Sequence, residues 1–258
     1  LPVSLSDTVR ALRERGLIAS TAAAFVAMRS ATGLPARRSA DSVAGIVFAP
    51  FPNDLPATRE ESQRFVRAVR GSSAQVGASA TEARVRAAIA SGALVHLATH
   101  AVMNPRNPLF SRIELAGDHD GARADDGRLE VHELLGLRSA SPLIFLSGCE
   151  TALGAAGLTP FDTGEDFTTI AQALLYAGAR NVVATLWRIN DRAAAQFAGS
   201  FYDALRSQSA VDALTQAQRA MLRDPRFRDP YVWAAYNLTG EGIEPRAAAK
   251  ALIASDKQ

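Results

Sequence analysis

Leu143-Ile144-Phe145-Leu146-Ser147-Gly148-Cys149-Glu150-Thr151-Ala152-Leu153-Gly154 is the stretch that decides the fold. Leu143 to Ser147 is an apolar run with the length of a buried strand. Small residues follow at once, and the only cysteine of the chain lies among them. A strand that ends in a tight turn delivers the turn residue to the carboxyl edge of its sheet, where open α/β sheets bind ligands. A second stretch, Leu94-Val95-His96-Leu97-Ala98-Thr99-His100-Ala101, has the same design and ends on a histidine. The two runs predict neighbouring parallel strands, with Cys149 and His100 facing each other across their ends. His96 shares the His100 side of the pleat, which predicts a ring packed on the sheet and bonded to backbone.

Working outward, apolar runs alternate with helical periodicity. Val43 to Ala49, Ser73 to Gly77 and Asn181 to Leu186 read as further strands. Arg112 to Leu115 reads as a short one, and Trp233 to Leu238 as the last. Helices are expected from Thr58 with a Phe65, Val66, Val69 stripe, and after Thr81 up to Gly92. Others are expected over Leu129 to Leu137, Phe167 to Tyr176, Asp191 to Arg206, Val211 to Leu222 and Glu244 to Ser255. Such alternation predicts βαβ units and an α/β fold with a mainly parallel central sheet. Residues 1–40 read as a helical lead (Leu5 to Met28) and linker, and 41–258 as one α/β domain. The chain starts on leucine, so the lead is expected to be the tail of an upstream region.

Composition narrows the function classes. The formal net charge is +2 and the basic residues are spread along the chain, which argues against nucleic acid as a partner. No apolar run approaches the roughly 18 residues of a membrane span. A single cysteine excludes an internal disulfide and a cysteine-rich metal site, and fits a reducing, cytoplasmic setting. Asp118, Asp120, Asp125 and Asp126 fail the EF-hand spacing, because Ala122 and Leu129 fall where ligands belong. Neither a phosphate loop nor a serine nucleophile elbow is present. No metal and no cofactor is expected.

A thiol and an imidazole at adjacent strand ends suit nucleophilic catalysis, with the imidazole activating the thiol and protonating the leaving group. His100 precedes Cys149 by 49 residues. That order and separation match the caspase type of cysteine protease, where the interval is about 50, and oppose the papain order.

Five runs in this order carry a resemblance to a known family. They are Leu94 to His100; Leu146-Ser147-Gly148-Cys149-Glu150-Thr151-Ala152; Gly164-Glu165 through to Ala177-Gly178-Ala179-Arg180; Val182-Val183-Ala184-Thr185-Leu186-Trp187-Arg188-Ile189-Asn190-Asp191; and Tyr231-Val232-Trp233-Ala234-Ala235-Tyr236. Together, over Val43 to Gly240, they resemble a CHAT domain, a caspase-like cysteine peptidase domain related to separase, gingipain and legumain. The resemblance implies a caspase-haemoglobinase-like αβα sandwich and a Cys-His dyad of Cys149 and His100. It implies an oxyanion hole from the backbone N–H groups of Cys149 and Ala101, where the family usually has glycine in place of Ala101. It implies that substrate backbone pairs along Trp187-Arg188-Ile189.

Asp191 and Glu150 are candidate walls of an acidic pocket that favours a basic residue before the cut. Against that, Asp191 also reads as a helix N-cap and Glu150 as a buried carboxylate bonded to backbone. The expected function is a cysteine endopeptidase acting on protein or peptide substrates. Its expected restraint is a regulatory domain or activator protein, including tetratricopeptide repeats in cis. One alternative is a catalytically weak pseudoprotease that serves as a protein-interaction module. The other is a nucleotide-binding α/β regulator, against which the missing phosphate loop speaks.

Overall fold

The computed structural model describes residues 44–104, 106–117, 125–148 and 170–241. Chain order runs β1 (Gly45–Ala49), α1 (Thr58–Ala68), β2 (Ser73–Val76), α2 (Glu82–Ser91) and β3 (Leu94–Ala98). A small insert follows, with β4 (Ala101–Val102), β5 (Arg112–Glu114), β6 (Arg128–Glu130) and α3 (Val131–Leu135). Then come β7 (Ile144–Ser147), α4 (Ile170–Ala177), β8 (Asn181–Thr185), α5 (Asp191–Leu205), α6 (Ala210–Arg223), α7 (Pro230–Trp233) and β9 (Tyr236–Gly240). The main sheet has the order β2-β1-β3-β7-β8-β9, parallel throughout except for β9, which runs antiparallel to β8. β4, β5 and β6 form a separate antiparallel sheet.

The layering follows from the strand sequences. β3 and β8 are buried along their whole length, so both faces of the sheet must be covered. Period-2 alternation sorts their side chains. Val95, Leu97, Ile144, Leu146, Val182 and Ala184 pack toward α2, α3, α4 and the small sheet. Leu94, Leu143, Phe145 and Val183 pack toward α1, α5 and α6. The result is a mixed α/β sandwich with a mainly parallel central sheet, as expected from the sequence.

Local signals set the element ends. The Thr81 hydroxyl accepts the Arg84 N–H at the start of α2, and Gly92 closes that helix with a φ of 84°, which a side chain resists. Gly45 has no room for a side chain, because a β-carbon there would lie 2.7 Å from Val69 Cγ1 and 2.8 Å from Phe65 Cζ. α1 therefore packs closely on β1.

Several expectations need correction. Val66 is not part of the buried stripe of α1; Thr58, Glu61, Ser62 and Phe65 are, and Val66 is exposed. Leu129 to Leu137 is not one helix. Arg128–Glu130 alternates exposed, buried and half-buried as a strand paired with β5, and a capping box of Glu130 and Glu133 then starts α3. Trp233 belongs to a helical turn, because the Asp229 carboxylate caps it and Pro230 opens it, so the last strand starts at Tyr236. The expected helices over Leu5 to Met28 and Glu244 to Ser255 lie outside the described residues.

Phe145 sits at the centre of the face under α5, with its ring 5.1 Å from Phe201, 5.6 Å from Tyr202 and 6.0 Å from Tyr236. It is fully buried. Phe145→Ala leaves a void that these rings cannot close, with an expected loss of about 3–5 kcal/mol. Denaturant melting followed by near-UV circular dichroism measures it, and a loss below about 1 kcal/mol contradicts this account of the core.

Candidate active site

An open cleft lies at the carboxyl edge of the main sheet. Thr99 and His100 reach it from the end of β3, Ser147 and Gly148 from β7, and Thr185, Ile189 and Asp191 from β8 and the start of α5. Glu61 and Thr58 of α1 and Tyr236 of β9 also line it. β1 connects through α1 to β2 on one side, and β2 connects through α2 to β3 on the other. The strand order thus reverses at β1 and β3, and a ligand crevice belongs at such a switch point.

β3 and β7 are adjacent and parallel, as expected. Val95 stands opposite Ile144, His96 opposite Phe145 and Ala98 opposite Ser147, a constant offset of 49 residues. β7 ends at Ser147, and the Gly148 carbonyl accepts the Thr185 hydroxyl of β8. The Ser147 hydroxyl is buried, with no hydrogen-bond partner among the described residues. Cys149 and Glu150 lie outside the described residues.

His100 is half-buried and leans on Phe51, with ring centroids 5.6 Å apart. Its backbone is pinned by the small sheet. The Glu114 N–H donates to the His100 carbonyl at 3.0 Å, and the Thr99 hydroxyl donates to the Glu114 carbonyl at 2.6 Å. Ala101 is the first residue of β4, opposite Ile113. With Glu114 N–H bonded one residue back, Ala101 and Ile113 form a non-hydrogen-bonded pair, so the Ala101 N–H turns away from β5. Strand backbone is extended, so a β-carbon fits at this position without strain.

Trp187, Arg188 and Ile189 follow β8 without regular structure. The Leu186 N–H donates to the Ala235 carbonyl at 2.9 Å, and the Trp187 indole N–H donates to the Tyr231 carbonyl at 2.7 Å. Trp187 also stacks on Tyr231 at 5.7 Å. Arg188 is exposed, while Ile189 turns in to line the cleft.

Asp191 is not the cap of its own helix. Asn190 caps α5, its side-chain oxygen accepting the Ala193 N–H at 2.8 Å. The Asp191 carboxylate instead accepts the Ala57 N–H at 2.7 Å, where α1 begins without a side-chain cap of its own. One carboxylate thereby serves the positive end of a helix 134 positions away in sequence. Burial raises the Asp191 carboxyl above the usual range; the Ala57 N–H opposes this, Glu61 adds to it, and His100 counters.

His96 is packed on the sheet as expected, but its partners are side chains rather than backbone. Its Nδ1 lies 2.7 Å from the Tyr202 hydroxyl and its Nε2 lies 3.0 Å from Glu61 Oε1. Sequence reading takes Glu61 only for a first-turn residue that suits the helix dipole, and misses its burial. An acidic residue in the first turn of a helix reads as a dipole partner in solvent, and only the packing of α1 against β3 reveals its burial. Among the described residues no group of His, Cys, Asp and Glu is arranged to hold a metal ion. None of the described helices is long and apolar enough to cross a membrane.

Comparison with known proteins agrees with this fold. The family model described as CHAT domain matches residues 4–241. Human tetratricopeptide repeat protein 28 is 25% identical over 220 residues, covering 74% of this chain and 9% of that protein. The Saccharomyces cerevisiae separase–securin complex superposes with a TM-score of 0.54 at 15% identity, over 84% of this chain and 13% of that one. The Arg-specific cysteine proteinase gingipain R gives 0.51 at 12%, over 76% and 46%. At such identities the two structures establish a shared caspase-like fold, and the chain spans a small part of the tetratricopeptide repeat and separase chains.

The raised Asp191 carboxyl has a consequence for stability. The folded chain binds this proton more tightly than the unfolded one, so the contribution is fully present below the ordinary carboxyl range and fades as pH rises through the folded value. Asp191→Asn removes that dependence while keeping an acceptor for the Ala57 N–H. The melting temperature of Asp191→Asn minus that of the parent should therefore increase from about pH 3.5 to neutral pH. A difference that stays flat or declines over that interval contradicts the assignment.

Proposed function

Because the chain belongs to the CHAT domain family, we propose that it is a cysteine endopeptidase in which Cys149 is the nucleophile and His100 the general base and acid. The observation that carries this is the β3–β7 register. Its offset of 49 residues equals the interval between His100 and Cys149 in the sequence, and His100, two positions beyond Ala98, lines the cleft at the end of β3.

The chemistry follows. His100 takes the thiol proton, and the Cys149 thiolate attacks the scissile carbonyl carbon. The oxyanion forms under the N–H groups of Cys149 and Ala101. The imidazolium gives its proton to the leaving nitrogen as the C–N bond breaks, leaving a thioester and a free amine. His100 then takes a proton from water, the hydroxide adds to the thioester, and the thiol leaves with the acid product.

Substrate runs extended along Trp187-Arg188-Ile189, adding a strand at the end of β8. Asp191, with Glu150, favours a basic residue before the cut, in keeping with the carboxylate that lines the cleft. Restraint comes from an attached domain or partner protein; the tetratricopeptide repeat relative supports repeats in cis as that domain. The alternative, a catalytically weak interaction module, rests on alanine where the family usually has glycine. The extended backbone of Ala101 speaks against it, since no residue there needs the freedom of glycine.

Cys149→Ala should abolish cleavage of protein substrates and leave the melting temperature unchanged. Surviving cleavage means another nucleophile. A peptide probe with a thiol-reactive warhead should label Cys149 faster than a free thiol does; labelling no faster than free thiol in the full-length protein favours the interaction module.

Ala101 gives a separate test. Ala101→Gly should keep kcat/KM within a few-fold, whereas Ala101→Pro removes an N–H that β5 does not use and should lower kcat by about 10²–10³-fold. Equal activity of the two variants removes Ala101 from the oxyanion site. Asp191→Asn should lower kcat/KM on peptides with arginine before the cut by roughly 10–100-fold, the worth of a hydrogen bond to a charged group. A uniform loss on arginine and alanine peptides assigns Asp191 to structure alone.

A further inference from the structure

The cleft continues into an open strand edge. His100 lines the cleft, and the next two residues, Ala101 and Val102, are β4. β4 is the outer strand of the small sheet, with β5 on one side and no strand on the other among the described residues. The Glu114 N–H donates to the His100 carbonyl, which makes Ala101 and Ile113 a non-hydrogen-bonded pair. Both main-chain groups of Ala101, the N–H and the carbonyl, therefore point away from β5. An open edge of this kind is a template for an extended peptide. The chemistry above uses the N–H and leaves the carbonyl idle.

The surface beside this edge is apolar. Eight large hydrophobic side chains are exposed among the described residues, and three of them, Val102, Leu109 and Phe110, belong to this insert. Val102 stands opposite Arg112 in the β4–β5 register, and Phe110 lies two residues before Arg112. The Asn104 N–H donates to the Ser111 hydroxyl at 2.9 Å, which keeps the chain after β4 alongside the chain before β5. The Phe110 ring leans on His132, with centroids 5.5 Å apart. Arg112 is paired with Glu114 at 2.7 Å, and the His132 ring lies 3.2 Å from Glu130. A side chain that settles against Val102 and Phe110 gains by burying apolar area rather than by pairing charge.

We propose that β4, with Val102, Leu109 and Phe110 beside it, binds the part of the substrate that follows the cut and selects an apolar side chain at its second residue, a proposal that rests on the peptidase proposal for the cut itself. Ala101 sets the register. Its N–H faces the scissile carbonyl, and the residues before the cut use their N–H groups along Trp187-Arg188-Ile189. The Ala101 carbonyl is then left for an N–H after the cut. A peptide running parallel to β4 meets both groups of Ala101 at once, with the carbonyl before the cut on the N–H and the N–H of the second residue after it on the carbonyl. That second residue stands opposite Val102, and its side chain emerges on the same face as that of Val102.

Three substrates test this on the full chain. One is an arginine peptide with a coumarin leaving group and no residue after the cut. The others are alanine octapeptides with arginine at position four and either leucine or aspartate at position six. The parent should cleave the leucine octapeptide with kcat/KM at least about 10-fold above the aspartate one, the low end of what an apolar contact discriminates. Val102→Ser combined with Phe110→Ser, both at exposed positions, should remove that preference and hold the coumarin peptide within about two-fold of the parent. A parent that cleaves both octapeptides equally overturns the proposal, and so does a variant that loses the same factor on all three substrates. The second arm needs no cleavage. In Cys149→Ala, the leucine octapeptide should slow exchange of the Ala101 amide and shift the Val102 methyl and Phe110 ring resonances, and the aspartate octapeptide should shift them less. Bound peptide that leaves Val102 and Phe110 unmoved, or a peptide that does not bind, overturns the proposal. An inactive parent whose Val102 and Phe110 resonances still respond sinks the peptidase proposal and leaves β4 as a peptide-binding edge, whereas cleavage with those resonances unmoved does the reverse.

Discussion

The parallel pairing of β3 with β7 is the constraint on which the rest of the molecule depends. Parallel strands in the middle of a sheet are covered on both faces, and each must be followed by a crossover before the next. Those two requirements produce the helical layers and their connections. They also send every strand but β9 out of the sheet at one edge, so the residues that follow β1, β3, β7 and β8 collect in one cleft. A chain with the same side chains on antiparallel strands would scatter them between both edges.

The face between β3, β7 and the helices α1 and α5 is built unusually for a core. Phe145 stacks on His96, and Phe197 stacks on Tyr236 at 3.6 Å. Aromatic rings pack with aliphatic side chains there, and an imidazole, a phenol and a carboxylate are sealed within it. Each polar atom there is expensive unless partnered. Glu61, His96 and Tyr202 come from three separate elements, so their contacts form only when α1, β3 and α5 are all in place. They act as a check on register as well as a source of cohesion, since a slip of β3 by one residue would turn His96 to the other face.

The fold was legible in the sequence because buried parallel strands write near-continuous apolar runs, and β1, β3, β7 and β8 all do so. The strand ends were legible for the same reason, which is why His100 stood out and lies in the cleft. What escaped was information held between elements. Asn190 and Asp191 are adjacent polar residues before a helix, and sequence cannot say which caps it. The structure gives the cap to Asn190 and frees Asp191 for a helix far away in the chain. Glu61 and Tyr202 are 141 positions apart, and only the docking of α1 and α5 brings them to one histidine. Short strands such as β6 escaped because three residues carry too little periodicity to outweigh a neighbouring helix.

The attachment of His100 to Glu114 has a mechanical meaning. The strand that leads to the histidine belongs to the main sheet, but the residue itself is held by the small one through two hydrogen bonds at Glu114. β7, by contrast, continues to Ser147 with neighbours only in the main sheet. His100 therefore stands at the junction of the two sheets, and its backbone is tied to the seating of β5 and β6 on the core through Ile113 and Leu129. A load applied to that insert is transmitted to the histidine over a single residue, without passing through the strand that leads to the cysteine.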